Sequence, residues 1–464
     1  MKIKGFPVLL FLMILLAAGA AQAEELWYPQ MPEEMPVISI ETADGSNHFA
    51  DAYMRDHKLQ GLIHYVDAFV TVEGTDVQAE KAQVKARGNY TLEYPQKSIR
   101  IKFEKKQSML GLNDGQAYKS WVLLAEWKDL SRLHSPIGLF LAQNIVGEDG
   151  YYCTDYCFVH LYLNGDYRGV YLLVEQQEVN PGRVDITEPE AESKEKLIGY
   201  FVEYDAYFAE ERALPQGDPA FEVYHTGVTG EQYGYTVKSD ITNKAQLRFL
   251  RSYMTRVYQI CYSAIRENKY YVFNEEYTAL VPVENTTARE VISQAIDLRS
   301  LVDMYILHEI VCNPDVAWSS FYMSVDFGEN GNKKLTFQAP WDFDSCFGIR
   351  SGYESNQGRY ALYAGNPWFQ LIAGEPWFTE MVKERWAELK KMDLPGKTLA
   401  FIDTLGGAYN DELDMNFERW PQRIWEGNHE LIEELNQCTT HQQAADYLYR
   451  WLEARFDYLD NKWK

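Results

Sequence analysis

The sequence has few cysteines, and those it has do not form a metal-binding pattern. The 464 residues include six cysteines, with no CxxC pair and no cysteine–histidine cluster at zinc spacing. A zinc site is therefore not expected. In an exported chain an even number of cysteines permits disulfides, and Cys153–Cys157 and Cys312–Cys346 are the candidate pairs. The alternative is that several of them are buried free thiols.

Basic residues are also scarce relative to acidic ones. Lys and Arg number 44 against 68 Asp and Glu, which gives a formal net charge of −24. Such a surface repels a phosphate backbone, so nucleic acid is excluded as a partner class. A cationic protein or a metal-chelated nucleotide is compatible with this charge, although an acidic surface can also serve solubility alone.

Long apolar runs are absent after the first 18 residues. The chain begins with Lys2 and Lys4, continues with an apolar run over residues 6–18, and reaches the small-x-small sequence Ala21-Gln22-Ala23. This order predicts a secretory signal peptide over residues 1–23. The run is short for a membrane span of about 20 residues, so we expect an exported protein with no stable membrane span after cleavage.

Internal repeats and low-complexity segments are absent as well, and the remaining chain predicts one α+β plan. Residues 24–36 are rich in Pro and Glu and predict an extended lead-in. Residues 37–350 are interpreted as a core, with a β-rich N-terminal lobe over about 37–180 and a C-terminal lobe from about 181. Residues 351–464 predict a helical extension packed on that core, so the C-terminal lobe is mainly helical.

Three stretches predict particular elements. Apolar and polar residues alternate in KSIRIKF (97–103), which is typical of a half-buried strand with basic residues on its other face. Asn164-Gly165 separates two apolar runs and predicts a tight β-hairpin. KDLSRLHSPIGLFLAQNI (128–145) predicts a helix that is capped near Asp129 or Ser131 and has Pro136 in its first turn.

Two acidic motifs flank a further predicted hairpin. In HEIVCNPDVAWSSFYM an apolar helix breaks at Asn313-Pro314 and leaves Asp315 in a loop, five residues before Ser320. After the hairpin, PWDFDSCFG places Asp342 and Asp344 two residues apart. A hairpin brings the residues before its first strand near those after its second, so we expect the three acids to meet. Close carboxylates repel each other unless a cation or proton intervenes, and Mg²⁺ or Mn²⁺ is the natural partner.

The order of these motifs is the one that protein kinases use for phosphoryl transfer. Asp-x4-Ser stands where the kinase catalytic loop has Asp-x4-Asn, and DFD stands where kinases have Asp-Phe-Gly. Lys97, Arg100 and Lys102 could face a polyphosphate, and Glu175 ends a hairpin where a kinase has the strand that contacts adenine. The alternatives are a capped turn or a calcium clip for the acids, and a solvated outer face for the basic strand.

Six blocks of the sequence, in order, resemble the spore-coat protein kinase family (CotH). They span roughly Val37 to Ile349. The blocks are RGNYTLEYPQKSIRIKF, WVLLAEWKDLSRL, VHLYLNGDYRGVYLLVEQQEV, IGYFVEYD, HEIVCNPDVAWSSFYM and PWDFDSCFG. The resemblance implies a divergent protein-kinase-like fold and phosphorylation of Ser on coat proteins, hence an extracellular, cell-surface or spore-coat location.

The resemblance also implies roles for individual residues. Asp315 falls at the catalytic-loop position, and Asp342 falls at the metal position with Asp344 in the same motif. Ser320 is a further candidate metal ligand. Lys97 lies in the family's basic segment, and we add Arg87, Arg100 and Glu175 as candidate nucleotide-binding residues.

The sequence departs from the kinase pattern at three places. Ser320 replaces an Asn and is a weaker metal ligand, Ala317 stands where conventional kinases carry a phosphate-steadying Lys, and His134 stands where the family often has an Arg. The prediction is an exported, ATP- and Mg²⁺- or Mn²⁺-dependent Ser/Thr kinase of a Ser-rich, basic coat or surface protein. The alternative is a non-catalytic kinase-like scaffold or adhesin. A glycosidase fits poorly because its two acids stand about 5–10 Å apart on separate elements.

Overall fold

The computed structural model describes residues 26–214, 217–352, 365–420 and 430–464, and the predicted signal peptide lies outside them. The described residues form two large sheets, a two-stranded ribbon and a set of helices, which confirms the α+β class. No helix among these residues combines the length and the apolar content that a membrane span requires.

The N-terminal part of the chain forms a closed seven-stranded barrel. The strand order is β1-β2-β3-β4-β5-β7-β6, and β1 closes the barrel by pairing antiparallel with β2 and parallel with β6. The strands are β1 (Val37–Thr42), β2 (Val66–Val72), β3 (Glu80–Ala86), β4 (Ile99–Gln107), β5 (Tyr118–Leu124), β6 (Tyr156–Leu163) and β7 (Asp166–Glu175). This closure was not predicted from the sequence.

Alternation along the strands fills the barrel interior with apolar side chains. On β4, Ile99, Ile101 and Phe103 are buried in the interior cluster, whereas Arg100 and Lys102 point outward. This confirms the half-buried strand predicted from KSIRIKF. The Asn164-Gly165 hairpin is also confirmed, since both residues adopt the left-handed conformation between β6 and β7.

Short helices and one longer helix connect the barrel strands. They are α1 (His48–Asp51), α2 (Arg55–Leu59), a 3₁₀ turn (Tyr90–Glu93) and α3 (His134–Ile145). The carboxylate of Asp129 accepts a hydrogen bond from the His134 amide at 2.7 Å, and Pro136 lies in the first turn of α3. The position of Pro136 agrees with the prediction, but α3 begins at His134 and not at the start of the predicted stretch 128–145. Its N-cap residue is Leu133, which makes no side-chain cap, so Asp129 bonds the first helical amide from the preceding turn and is not the N-cap residue.

The second sheet has the order β14-β13-β8-β10-β9. Its strands are β8 (Gly199–Asp205), β9 (Ala220–Glu222), β10 (Gly234–Val237), β13 (Phe321–Asp326) and β14 (Thr336–Phe337); β11 (Tyr271–Phe273) and β12 (Leu280–Pro282) form a separate ribbon. Met323 pairs with Phe337 across β13 and β14, which confirms the hairpin predicted between the two acidic motifs.

Ten helices are described beyond the barrel. They are α4 (Phe208–Ala213), α5 (Lys244–Tyr262), α6 (Ala288–Ala295), α7 (Leu298–Val311), α8 (Pro367–Ile372), α9 (Pro376–Lys391), α10 (Leu394–Ala408), α11 (Asn410–Arg419), α12 (Glu433–Asn436) and α13 (His441–Lys462). One face of α13 is buried, as its periodicity predicts. The six cysteines are all buried and none of them forms a disulfide, so the predicted pairs Cys153–Cys157 and Cys312–Cys346 were wrong and the alternative of buried thiols is confirmed.

A buried ion pair holds α13 on α7. The guanidinium of Arg455 is fully buried and donates to the Glu309 carbonyl oxygen at 2.8 Å and to the Glu309 carboxylate at 3.1 Å. Lys462 contacts the same carboxylate at 2.9 Å. Since α7 leads directly into the loop that carries Asp315, this contact fixes the helix behind the candidate catalytic residue.

Candidate active site

A cleft of about 1290 Å³ separates the outer face of the barrel from the second sheet. The barrel supplies residues of β3, of β4 and of the segment after β5. The opposite wall comes from β8, from the loop after α7 and from the segment after β14. The predicted site residues that line it are Arg87, Arg100, Asp315, Ser320, Asp342 and Asp344.

The loop after α7 fixes the backbone of Asp315. Helix α7 ends where Cys312 adopts a left-handed conformation, and a 3₁₀ turn (Pro314–Ala317) follows. The Asn313 side chain accepts a hydrogen bond from the Asp315 amide at 2.9 Å. The Asp315 carbonyl oxygen accepts from the amides of Trp318 and Ser319, both at 2.7 Å. The carboxylate therefore leaves a tightly bonded turn and faces the cleft, 3.5 Å from Arg350.

Packing of Phe343 explains why the acids on either side of it reach the cleft. Phe343 is buried against Gly138 of α3, where an added Cβ would stand 2.3 Å from the ring. Only glycine leaves that space, so α3 holds the motif from behind. Asp342 adopts a left-handed conformation and its carboxylate accepts a hydrogen bond from the Ser320 hydroxyl at 3.1 Å.

The position of Ser320 is set by a second pair of acids on β8. The Ser320 amide donates to the Glu203 carboxylate at 2.9 Å, and Lys238 contacts Glu203 at 3.1 Å. Burial and the nearby Glu203 raise the pKa of Asp205 to about 7. The cleft wall formed by the second sheet is thus strongly acidic.

The acids of the two motifs act on each other, as the hairpin argument predicted. Burial, followed by the charges of Asp344 and Asp315, raises the pKa of Asp342 to about 7. Burial also raises the pKa of Asp315, against the opposing charge of Lys128. Glu126, after β5, joins the group: burial and the charge of Asp344 raise its pKa well above the ordinary value. Four carboxylates therefore share one end of the cleft.

These acids fit a metal that is shared with phosphate, not a closed protein cage. Among the described residues, no three His, Cys, Asp or Glu side chains converge as a metal cage would require. Mg²⁺ in phosphoryl-transfer sites uses one or two carboxylates and takes its other ligands from water and substrate phosphates. Asp342 and Asp344 supply such a pair. Burial and then the charges of neighbouring acids raise the pKa of Asp342, and a divalent cation would relieve the repulsion among these acids.

Three of the cations on the barrel wall of this cleft are Lys85, Arg87 and Arg100. Lys85 and Arg87 lie on or just after β3, and Arg100 lies on β4. None of the three takes part in an ion pair within the described part of the chain; Lys85 lies 4.7 Å from the Tyr65 ring and Arg87 lies 5.5 Å from the Trp341 ring. Burial and the charges of Arg100, Lys58 and Arg87 lower the pKa of Lys85 to about 8. Clustered cations without acid partners are typical of a phosphate site.

Two predicted nucleotide-binding residues do not line the cleft. Lys97 is two residues before Ile99, so its side chain lies on the same, inward side of the strand and is only 3% exposed. It donates to the Tyr94 carbonyl oxygen at 2.8 Å. Glu175 is fully buried, and its carboxylate accepts from Arg183 at 3.0 Å and from Asn113 at 2.8 Å. Both side chains are occupied inside the protein. The segment Gln176–Val179 lines the cleft in place of Glu175.

Sequence reasoning missed several charged cleft residues, among them Lys85, Glu126, Lys128 and Arg350 and the group Glu203, Asp205 and Lys238. Glu126 and Lys128 could have been found from the sequence. They directly follow the apolar run of WVLLAEWKDLSRL, a block that resembles the family, and charged residues at the end of a buried strand are candidates for a site. Lys85 precedes the matching RGNYTLEYPQKSIRIKF block by two residues.

Two ion pairs connect the barrel side of the cleft mouth to the opposite side. Arg55 and Lys58 of α2 contact Glu210 and Glu211 of α4, each at 3.0 Å. The partners lie about 155 residues apart in sequence. They hold the two walls together at the opening.

Comparison with protein-family models identifies one family. No curated protein matches this chain. The family model described as CotH kinase protein matches residues 84–459, from within β3 to the last turns of α13, and so includes every cleft residue discussed above except those of α2 and Tyr65. Because this match covers most of the chain, the protein belongs to the CotH kinase family.

Proposed function

We propose that the protein is an exported atypical protein kinase that transfers the γ-phosphoryl group of ATP to Ser or Thr of a coat or surface protein. One observation carries the proposal: cations without acid partners face a group of mutually repelling carboxylates across a single cleft. In a bound nucleoside triphosphate with its divalent cation, the phosphates would pair with the cations of one wall and the metal ion with the carboxylates of the other.

Each wall has a distinct role in this proposal. Asp315 orients the substrate hydroxyl and accepts its proton, while the hydroxyl oxygen bonds to the γ-phosphorus and ADP departs in line. Lys85, Arg87 and Arg100 bind the phosphates. Mg²⁺ or Mn²⁺, when bound, neutralises charge on the phosphate oxygens, and Asp342, Asp344 and Ser320 are the residues that would hold it.

The charge along the cleft supports a basic substrate. Further acidic residues that line the cleft are Glu178, Glu188, Glu211, Asp218, Asp240 and Glu430. Together with the net charge of −24 they favour a Ser-rich, Lys- or Arg-containing protein over an acidic one. Export rests on the signal peptide predicted over residues 1–23. In the proposed two-lobed, kinase-like arrangement, the barrel corresponds to the N-terminal lobe and the second sheet with its helices to the C-terminal lobe.

Phosphate transfer by the purified protein without residues 1–23 tests the proposal. The assay uses labelled ATP, Mg²⁺ or Mn²⁺, and a peptide rich in Ser and Lys. Asp315→Asn is expected to lower the rate on the order of 100-fold or more, because it removes the proton acceptor. The matched control is Asp403→Asn, an exposed acid on α10, which should leave the rate unchanged.

The same protein separates a kinase from the alternative, a kinase-like scaffold or adhesin. A kinase shows a thermal shift with ATP and Mn²⁺ that Asp342→Ala removes. A protein that gives no shift and no transfer with either metal would instead support the scaffold.

A further inference from the structure

Lys128 is the cation that lies deepest among the acids of the cleft. It follows β5 and is 7% exposed. Its ammonium donates to the Ser345 hydroxyl at 2.6 Å and lies 3.9 Å from the Asp344 carboxylate. Ser345 in turn donates to Asp344 at 3.0 Å. This chain of contacts fixes the ammonium beside a candidate metal ligand while it still faces the cleft.

The same ammonium is close to the candidate catalytic acid. Among the charges that act on Lys128, those of Asp344 and Asp315 are the largest. Lys128 therefore contacts a residue proposed to hold the metal and lies near enough to the residue proposed to take the hydroxyl proton to feel its charge. Phosphoryl transfer passes between these two points, and charge spreads there over the three equatorial oxygens of the transferring group.

The catalytic loop itself provides no such cation. Conventional kinases carry a phosphate-steadying lysine two residues after the catalytic acid, where this chain has Ala317. Ala317 does not line the cleft, and its Cβ faces Gly365 so closely that a Cβ added to Gly365 would stand 2.5 Å away. A long side chain at position 317 would meet this contact before it could reach the acids.

We propose that Lys128 donates hydrogen bonds to the transferring γ-phosphoryl group and so replaces, from the barrel side, the lysine missing at Ala317. This inference rests on the proposed kinase function. Lys128 keeps its proton throughout: the bond from the γ-phosphorus to the bridging oxygen of ADP breaks, the bond to the substrate oxygen forms, and the hydroxyl proton goes to Asp315. The ammonium stabilises charge that is greatest in the transition state.

Lys128→Met tests the role, because methionine keeps an unbranched side chain of nearly the same length and removes its charge. We expect kcat to fall by about 100-fold or more, as when one transition-state donor is lost, with little change in the KM for peptide. Calorimetry should show that a non-hydrolysable ATP analogue binds about tenfold more weakly, whereas ADP affinity changes less than about twofold. A residue that only neutralised the neighbouring acids would change both nucleotide affinities alike.

A second variant keeps the positive charge of Lys128 but releases its ammonium from its fixed position. Ser345→Ala removes the hydroxyl that anchors the ammonium, and we expect an intermediate loss of kcat, about five- to tenfold. If Lys128→Met fails to fold, Lys128→Arg and Ser345→Ala provide the same comparison of ATP analogue with ADP. Equal weakening of both nucleotides, or a kcat within about threefold of the wild type, would overturn the inference.

The wild-type protein separates this failure from failure of the kinase proposal. If it binds nucleotide and transfers phosphate while the Lys128 variants behave like it, only the role of Lys128 is wrong. If it binds neither ADP nor the ATP analogue in the presence of Mg²⁺ or Mn²⁺, the kinase proposal fails, and the role of Lys128 fails with it.

Discussion

The pKa of Lys85 predicts that nucleotide affinity falls as the pH rises above about 8. Burial and three neighbouring cations lower this pKa to about 8, so the ammonium is charged near neutral pH and loses its proton well below the ordinary range of lysine. If phosphate binds only the charged form, the fraction able to bind falls from about nine-tenths at pH 7 to about one-tenth at pH 9. The expected loss of affinity is thus about tenfold between these pH values.

The loss of nucleotide affinity at high pH can be distinguished from unfolding, because the contribution of Lys85 to the free energy of unfolding changes in the opposite direction. A lysine whose pKa is lowered in the folded state binds fewer protons there than in the unfolded chain. Its contribution to stability therefore rises between about pH 8 and the unfolded pKa of about 10.4. Nucleotide affinity should fall over the same range in which this contribution grows.

Calorimetric titration of an ATP analogue with Mg²⁺ at about pH 7, 8 and 9, at constant ionic strength, measures the effect. Lys85→Gln should bind weakly at all three values and show a much flatter profile. Lys81→Gln, which removes an exposed lysine from the same strand, should retain the full dependence of the wild type. A wild-type affinity that is constant from pH 7 to 9, or a decline that persists in Lys85→Gln, would refute the assignment of Lys85 to the phosphate site.

Two further predictions concern the acids and the helix behind them. Asp342→Asn should raise the melting temperature of the metal-free protein by about 2–4 °C, because it removes a buried carboxylate that its neighbours repel, and it should abolish the thermal shift caused by Mn²⁺. A lower melting temperature, with Asp403→Asn as the reference, would contradict this. Arg455→Met should lower the free energy of unfolding in urea by about 3–5 kcal/mol, because it takes the buried guanidinium away from Glu309. Arg450→Met, which removes an exposed arginine from the same helix, should cost less than about 1 kcal/mol, and equal losses would show that the buried pair is not stabilising.

Local features of the fold could be predicted because they depend on neighbouring residues. The Asn164-Gly165 turn and the hairpin before Asp342 follow from backbone preferences and short-range periodicity. Closure of the barrel could not be predicted in the same way. It depends on parallel pairing of β1 with β6, whose residues lie more than 100 positions apart, and a short strand carries no signal for its partner.

The candidate site shows the same division. Asp315, Asp342 and Asp344 were predicted to meet because a hairpin separates them in sequence, and their mutual effects on pKa place them together. Lys97 was predicted to bind phosphate, but strand alternation places it on the same inward face as Ile99 and on the opposite face from Arg100. Glu126 and Lys128 reach the acids only through tertiary packing of the segment after β5, which periodicity alone does not reveal.

Complete pairing of the barrel strands limits how the phosphate-facing wall can adapt. Each of the seven strands has a hydrogen-bonded neighbour on both sides, so no strand can slide in register without breaking two ladders. Ligand-induced adjustment on this wall is therefore confined to rotamers of long cationic side chains. When nucleotide is soaked into ligand-free crystals, the barrel backbone should accordingly show no change in conformation. Substitutions that stiffen the barrel should leave the rate of nucleotide association unaltered.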